Sequence, residues 1–203
     1  MPLDLTAPQF ASIADLEREA LACTRCALAG GRTQVVFGTG DVDADLMFVG
    51  EGPGEQEDLQ GVPFVGRAGN LLTKLIEGIG LTRDDVYIAN VVKCRPPGNR
   101  DPLPPEIDAC RPWLAAQLQF VSPRVLVTLG NFATKLLLDT KEGITRLRGR
   151  EFAFGDAVLV PTLHPSAVLR SGGTALAQSR ADFVVVKRAL TRARTGAGLR
   201  GRA

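Results

Sequence analysis

A three-layer α/β/α fold is what this sequence predicts, with helices on both faces of a central, mostly parallel four-stranded sheet. One domain covers residues 1–192. Three observations carry the expectation. The β-branched apolar runs LMFVG (46–50), VYIANVV (86–92) and RVLVTLG (124–130) are each bounded by turn residues. Segments with apolar residues at helical spacing lie between them, the alternation that builds parallel sheets covered on both faces. The chain has 203 residues, which suits one domain of ~100–200 residues.

Ser12, followed by Asp15 in IADLEREALA, predicts a capped first helix with Ile13, Leu16, Ala20 and Leu21 on one face. CTRC (23–26) follows as a loop. LMFVG reads as a buried strand running straight into the glycine-rich turn GEGPGEQED. Residues 67–80 place Leu71, Leu72, Leu75, Ile76 and Ile79 at helical spacing, closed by Gly80. After VYIANVV, the segment KCRPPGNRDPLPPE (93–106) holds five of the thirteen prolines and must be a stiff, extended loop. A helix from Pro105 to Phe120, the strand RVLVTLG and a helix over NFATKLLL (131–138) come next. Phe152–Phe154 and Val158–Val160 form a hairpin whose second strand leads into the loop PTLHPS. The last helix runs over 177–194, and residues 193–203 are expected to form a basic, flexible tail.

Composition removes several classes. Hydrophobic residues are 45% and charged residues 23%, which excludes disorder, collagen and coiled coil for the whole chain. Four cysteines are too few for a disulfide-stapled mini-domain. The first 22 residues carry acids instead of a basic, apolar leader, and no apolar run approaches the ~18 residues of a membrane span. A cytoplasmic protein with reduced or metal-held thiols is therefore expected, with no membrane partner. The net charge of +2 divides unevenly: residues 1–60 carry 3 basic and 11 acidic side chains (−8), leaving +10 for the rest. That basic remainder is compatible with a polyanion partner and equally with a solvated face.

Five features carry chemistry. Cys23 and Cys26 form a chelating CxxC, and Cys94 and Cys110 can join them in a four-thiolate site. Spacing leaves zinc, an iron–sulfur cluster, redox thiols and plain apolar cysteines open. GEGPGEQED carries glycines at 50, 52 and 54 but Glu55 where a dinucleotide fingerprint needs its third glycine. Its four carboxylates (Glu51, Glu55, Glu57, Asp58) would repel a pyrophosphate, and no GK[ST] follows, so no nucleotide cofactor is expected. A purely structural turn is the alternative. His164 is the only histidine, so any imidazole chemistry has one address. Phe64 in GVPFVG can stack on a base, or simply plug the core. Asn90 interrupts an apolar strand and has the donor and acceptor needed to read a nucleobase edge.

Together these residues resemble family 4 uracil-DNA glycosylases, the iron–sulfur branch of their superfamily, over residues 12–190. GEGPGEQED, GVPFVGRAGNLL, VYIANVVKCRPPGNRDPLPPE, ACRPWL and HPS occur in family order. The resemblance implies a monomeric, monofunctional base-excision-repair hydrolase that removes uracil from DNA. It implies a uracil pocket of Gly50, Glu51, Gly52, Phe64, Asn90 and His164, with His164 donating to uracil O2. It implies a [4Fe–4S] cluster on Cys23, Cys26, Cys94 and Cys110. Catalysis would fall to Glu51 and His164, although the superfamily's best-known members carry Asp in the first motif. Ser166, Val168, Leu169 and Arg170 become DNA-contact or wedge candidates; the family's wedge position is Val168, with Leu169 next. Lys93, Arg148 and Arg150 are further candidate phosphate contacts. A branch that becomes covalently trapped on uracil-DNA carries an inserted, histidine-containing loop after the Asn strand, and KCRPPGNRDPLPP has neither insertion nor histidine. An inactive iron–sulfur or zinc nucleic-acid-binding module is the non-catalytic alternative.

Overall fold

A computed structural model describes residues 10–196. In chain order the helices are α1 (Ile13–Leu21), α2 (Glu55–Gln60), α3 (Gly66–Glu77), α4 (Pro104–Val121), α5 (Asn131–Leu138), α6 (Ile144–Leu147), α7 (Pro165–Ser171) and α8 (Gly173–Arg194). The strands are β1 (Thr39–Gly40), β2 (Leu46–Gly50), β3 (Tyr87–Asn90), β4 (Val125–Leu129), β5 (Phe152–Phe154) and β6 (Ala157–Thr162). The sheet order is β1-β3-β2-β4-β6-β5. Its four central strands are parallel, as expected, and short antiparallel edges (β1 on β3, β5 on β6) raise the total to six. The β1 edge was not anticipated, because two residues are too few to show a period.

The side-chain period of two sorts each strand between the two faces. Met47, Val49, Tyr87, Ala89, Leu126 and Leu159 join one core, with Leu16 of α1 and Trp113, Leu114 and Leu118 of α4. Leu46, Phe48, Ile88, Val127 and Val160 join the other, with Leu72 and Ile76 of α3 and Phe183 and Val186 of α8. Phe48 and Phe183 stack with centroids 5.8 Å apart and join sheet to helix. Truncating such a core Phe costs about 3–5 kcal/mol.

Local signals explain most boundaries. Ser12 Oγ accepts from Asp15 N–H at 3.1 Å and caps α1 as its sequence requires. Three helices were not expected: α2, the one-turn α6 and α7. The acids of GEGPGEQED open α2, where Glu55, Glu57 and Asp58 in the first turn complement the helix dipole. Pro165 starts α7, so His164 is a helix N-cap and not a mid-loop residue. Helix α8 begins at Gly173, earlier than its apolar spacing suggests. The expected tail is helical to Arg194, where Ala193 O accepts from Arg124 and Arg194 pairs with Asp45 at 2.8 Å. Residues 197–203 of that tail lie outside the described residues. Among the described residues, no helix is long and apolar enough to cross a membrane.

The parallel strands end on one edge, so Glu51, Asn90, Gly130 and His164 follow or terminate neighbouring strands there. The chain turns left from β2 to β3 and later returns to the right of β2 with β4. The crevice between β2 and β4 is the topological switch point where such sheets bind ligands.

Candidate active site and cysteine chamber

A cleft of about 560 Å³ opens at that edge, with Glu51, Phe64, Asn90, His164 and Arg170 among its walls. Its size falls in the ~300–1,000 Å³ range of small-molecule sites. The expected pocket residues thus converge.

Ladder bonds continue past the strand ends and fix the floor. Val91 N–H donates to Gly50 O at 2.9 Å and Val92 N–H to Glu51 O at 3.1 Å. A Cβ at Gly50 would strike both Asn90 Oδ1 and the Phe64 ring, so only glycine lets these groups meet. Asn90 is 1% exposed, and its Oδ1 has no hydrogen-bond partner. An unpaired buried acceptor costs about 1–3 kcal/mol, which a ligand donor would recover.

Phe64 holds φ +53°, a left-handed conformation unusual for an aromatic residue. Arg83 maintains it by donating to Pro63 O at 2.8 Å and Phe64 O at 3.2 Å. Gly69 lets α3 pass directly over the Phe64 carbonyl, where any Cβ would clash. Sequence reasoning missed Arg83, because nothing in GLTRDD marks a clamp on residues 19 and 20 positions earlier.

His164 sits 5.7 Å from Phe64, centroid to centroid. The backbone N–H of Ser166 donates to His164 Nδ1 at 3.2 Å, and Ser166 Oγ lies 2.7 Å from the same nitrogen. A backbone N–H can only donate, so Nδ1 is the acceptor and the proton sits on Nε2. Burial, aided by Arg170, lowers the imidazole pKa to about 4. His164 is thus a neutral Nε2–H donor, the choice that the sequence left open.

Burial, and then the charge of Asp101, raises the Glu51 carboxyl to about 7. Asp101, from the proline-rich loop, lines the cleft and was not anticipated as part of it. The other motif acids have structural partners. Glu57 accepts from Gly54 N–H at 3.1 Å and Val65 N–H at 3.0 Å. Asp58 accepts from Thr33 N–H at 2.9 Å. Glu55 is exposed and pairs with Arg95 at 4.0 Å, which leaves Glu51 for other work.

Three expected DNA contacts are corrected. Val168 is 2% exposed inside α7, whereas Leu169 is 42% exposed. The three-to-four-residue helical period turns one inward and the other to solvent, which removes Val168 as a wedge. Arg148 is engaged by the buried Asp182 at 2.6 Å. Lys93 is 1% exposed. Arg150 stacks over Phe152 at 5.2 Å, and Arg170 is exposed beside the cleft.

A second, small chamber is lined by Cys23, Cys26, Cys94 and Cys110 together with Arg32 and Lys93. The CxxC follows α1, Cys94 follows β3 and Cys110 lies in α4. All four thiols are free. Among the described residues, no three or more His, Cys, Asp or Glu form a site for a metal ion. The donor set nevertheless fits an anionic thiolate-bound group. Arg32 donates to Cys94 Sγ at 3.4 Å and Lys93 N–H to Cys110 Sγ at 3.2 Å. Burial pushes the Cys94 thiol up and the Cys110 thiol to about 11, so both are neutral until a metal displaces their protons. Burial also lowers the Lys93 ammonium to about 8, against the opposing pull of Cys110 and Cys94.

The uracil DNA glycosylase superfamily model matches residues 37–190. A type-4 uracil-DNA glycosylase of Thermotoga maritima is 51% identical over 151 residues, 73% of this chain and 79% of its own. Its counterpart in Sulfurisphaera tokodaii is 45% identical over 167 residues, covering 78% and 76%. That of Archaeoglobus fulgidus is 45% identical over 166 residues, covering 78% and 83%.

Proposed function

The chain belongs to the uracil DNA glycosylase superfamily, and from that premise we propose that it hydrolyses the N-glycosidic bond of uracil in DNA. The products are free uracil and an abasic site. The observation that carries the reading is the unpartnered, buried Asn90 Oδ1 beside the Phe64 ring and the His164 donor. Uracil presents an N3–H between two carbonyls. Asn90 Oδ1 takes the N3–H, Phe64 stacks on the ring, and His164 Nε2–H meets O2. Cytosine lacks the N3–H, and thymine adds a methyl that the close walls of Gly50 and Phe64 exclude.

Uracil departs as an anion from a cation-like sugar. The His164 donor faces the oxygen on which that charge grows, and a preorganised donor there contributes ~10²–10³ in rate. His164 stays neutral throughout, so it acts as a hydrogen-bond donor and transfers no proton. Glu51, once ionised, stabilises the sugar cation and takes a proton from the attacking water. Extruding the base costs a few kcal/mol. Exposed Leu169 fills the vacated stack and Arg170 meets the phosphates.

The four cysteines would hold a [4Fe–4S] cluster, with Arg32 and Lys93 balancing its negative charge. The cluster would supply cross-linking between α1, the proline-rich loop and α4 when bound. We read the protein as a monofunctional monomer acting beside the nucleoid, with residues 1–192 as its single domain.

Single- and double-stranded oligonucleotides with one uracil, incubated with the protein and then treated with alkali, test the reading. Scission at uracil only after alkali is expected. No scission, or scission without alkali, overturns monofunctional excision, and a DNA-protein adduct in denaturing gels would favour the trapping branch.

A further inference from the structure

Lys93 takes no part in the excision step described above, yet it is the most deeply buried cation among the described residues, at 1% exposure. A buried ammonium survives only with partners. Here Nζ donates to the Asn90 carbonyl at 2.7 Å and to Gln117 Oε1. Gln117, in α4 and 0% exposed, donates in turn to Phe37 O at 2.9 Å and to the Tyr87 hydroxyl at 3.2 Å. Tyr87 and Asn90 are the first and last residues of β3. The Lys93–Gln117 pair therefore braces both ends of the strand.

The main chain of the same residue faces the chamber. Lys93 N–H donates to Cys110 Sγ at 3.2 Å, and Cys94 is its neighbour. Its carbonyl accepts from Val36 N–H at 2.8 Å, which leaves the residue little freedom to move. One residue thus grips the cysteine chamber with its backbone and the end of the cleft strand with its side chain.

We propose that Lys93 is a positioning residue that couples the four-cysteine chamber to base recognition by fixing Asn90. This rests on Asn90 being the uracil reader. Loss of the ammonium lets the Asn90 amide drift from the Phe64 ring, so affinity for the base falls as well as the excision rate. A merely structural residue would lower stability and leave affinity alone.

The test is Lys93→Met in the cofactor-loaded full chain, alone and combined with Asn90→Ala. The readouts are calorimetric binding of free uracil, single-turnover excision, visible absorbance and melting temperature. Lys93→Met is expected to keep the absorbance and lose about tenfold or more in both uracil affinity and excision, the scale of one hydrogen bond to a charged donor. In the Asn90→Ala background the same change is expected to add less than about twofold, because the residue it positions is gone. Wild-type affinity in Lys93→Met, or full additivity with Asn90→Ala, overturns the coupling. If Lys93→Met does not fold, Gln117→Leu removes one anchor of the same ammonium and is judged by the same criteria. A wild-type protein that neither binds nor excises uracil defeats the functional reading instead.

Discussion

The cleft and the cysteine chamber are built from opposite materials. The cleft is open, polar and assembled from strand ends, with an unpaired acceptor at Asn90 and a carboxyl at Glu51 that burial raises to about 7. The chamber is closed and apolar, and it gathers thiols from positions 23 to 110 with no acid among its walls. Unpaired polar groups cost stability and are kept where they meet a ligand. In the chamber, Cys94 Sγ and Cys110 Sγ each accept from an N–H donor, a bonding pattern that holds structure together. The difference separates a region that reacts from one that supports it, and Lys93 joins the chamber to the end of the cleft strand.

Breaking the chamber should have the largest effect. Cys94→Ala is expected to bleach any cofactor absorbance and lower the melting temperature by ~10 °C or more, since a metal group held by these thiols would contribute folding energy. Fluorescence or calorimetric melting checks this. A folded, colourless, inactive variant with an unchanged melting temperature would reverse the roles of the two regions.

Breaking the cleft should do the opposite. His164→Asn keeps a capping acceptor for Ser166 N–H while withdrawing the Nε2–H from the base. Single-turnover excision should fall ~10²–10³-fold, with melting within a few degrees of wild type. Loss of fold in this variant would blur the separation.

These contrasts also show what the sequence made legible. Strand positions were readable because both sheet faces are covered and the runs are continuously apolar. Asn90 stood out as the one polar residue in such a run, and His164 as the only imidazole. Helices α2 and α7 were hidden, because acids and a His-Pro-Ser triplet look like loop until the capping geometry is known. Lys93 and Arg148 were taken for phosphate contacts, since sequence shows a charge but not the Gln117 or Asp182 that receives it. Arg83 was invisible for the same reason: its partners are backbone carbonyls, which carry no residue signature.

Arg83 sharpens the comparison at a smaller scale. Arg83→Ala removes both donors that hold Phe64 at positive φ. A loss of about 1–3 kcal/mol is expected, divided between melting temperature and a several-fold rise in KM for uracil-DNA. Arg83→Lys should recover little, because one ammonium cannot reproduce the fork. Steady-state kinetics with both variants distinguishes clamp from bulk packing.

The smallest effect is on stability against pH. Glu51 has a folded pKa near 7 against an ordinary 4.5, so the folded state holds its proton more tightly than the unfolded chain. Its contribution therefore favours folding at low pH and is lost as pH rises from the unfolded value through 7. Glu51→Gln should melt ~2–5 °C above wild type at pH 8 and nearly level with it at pH 4. An equal offset at both values would show that Glu51 is not held protonated by the cleft.

The pH dependence of kcat/KM for uracil excision, followed from pH 5 to 9, tests the division of labour in the cleft most directly. A neutral His164 and an ionisable Glu51 predict one rising limb centred near pH 7 and a plateau above it, with no limb from the histidine. A flat profile through pH 7, or a limb near 6.5 that disappears in His164→Asn, would contradict it.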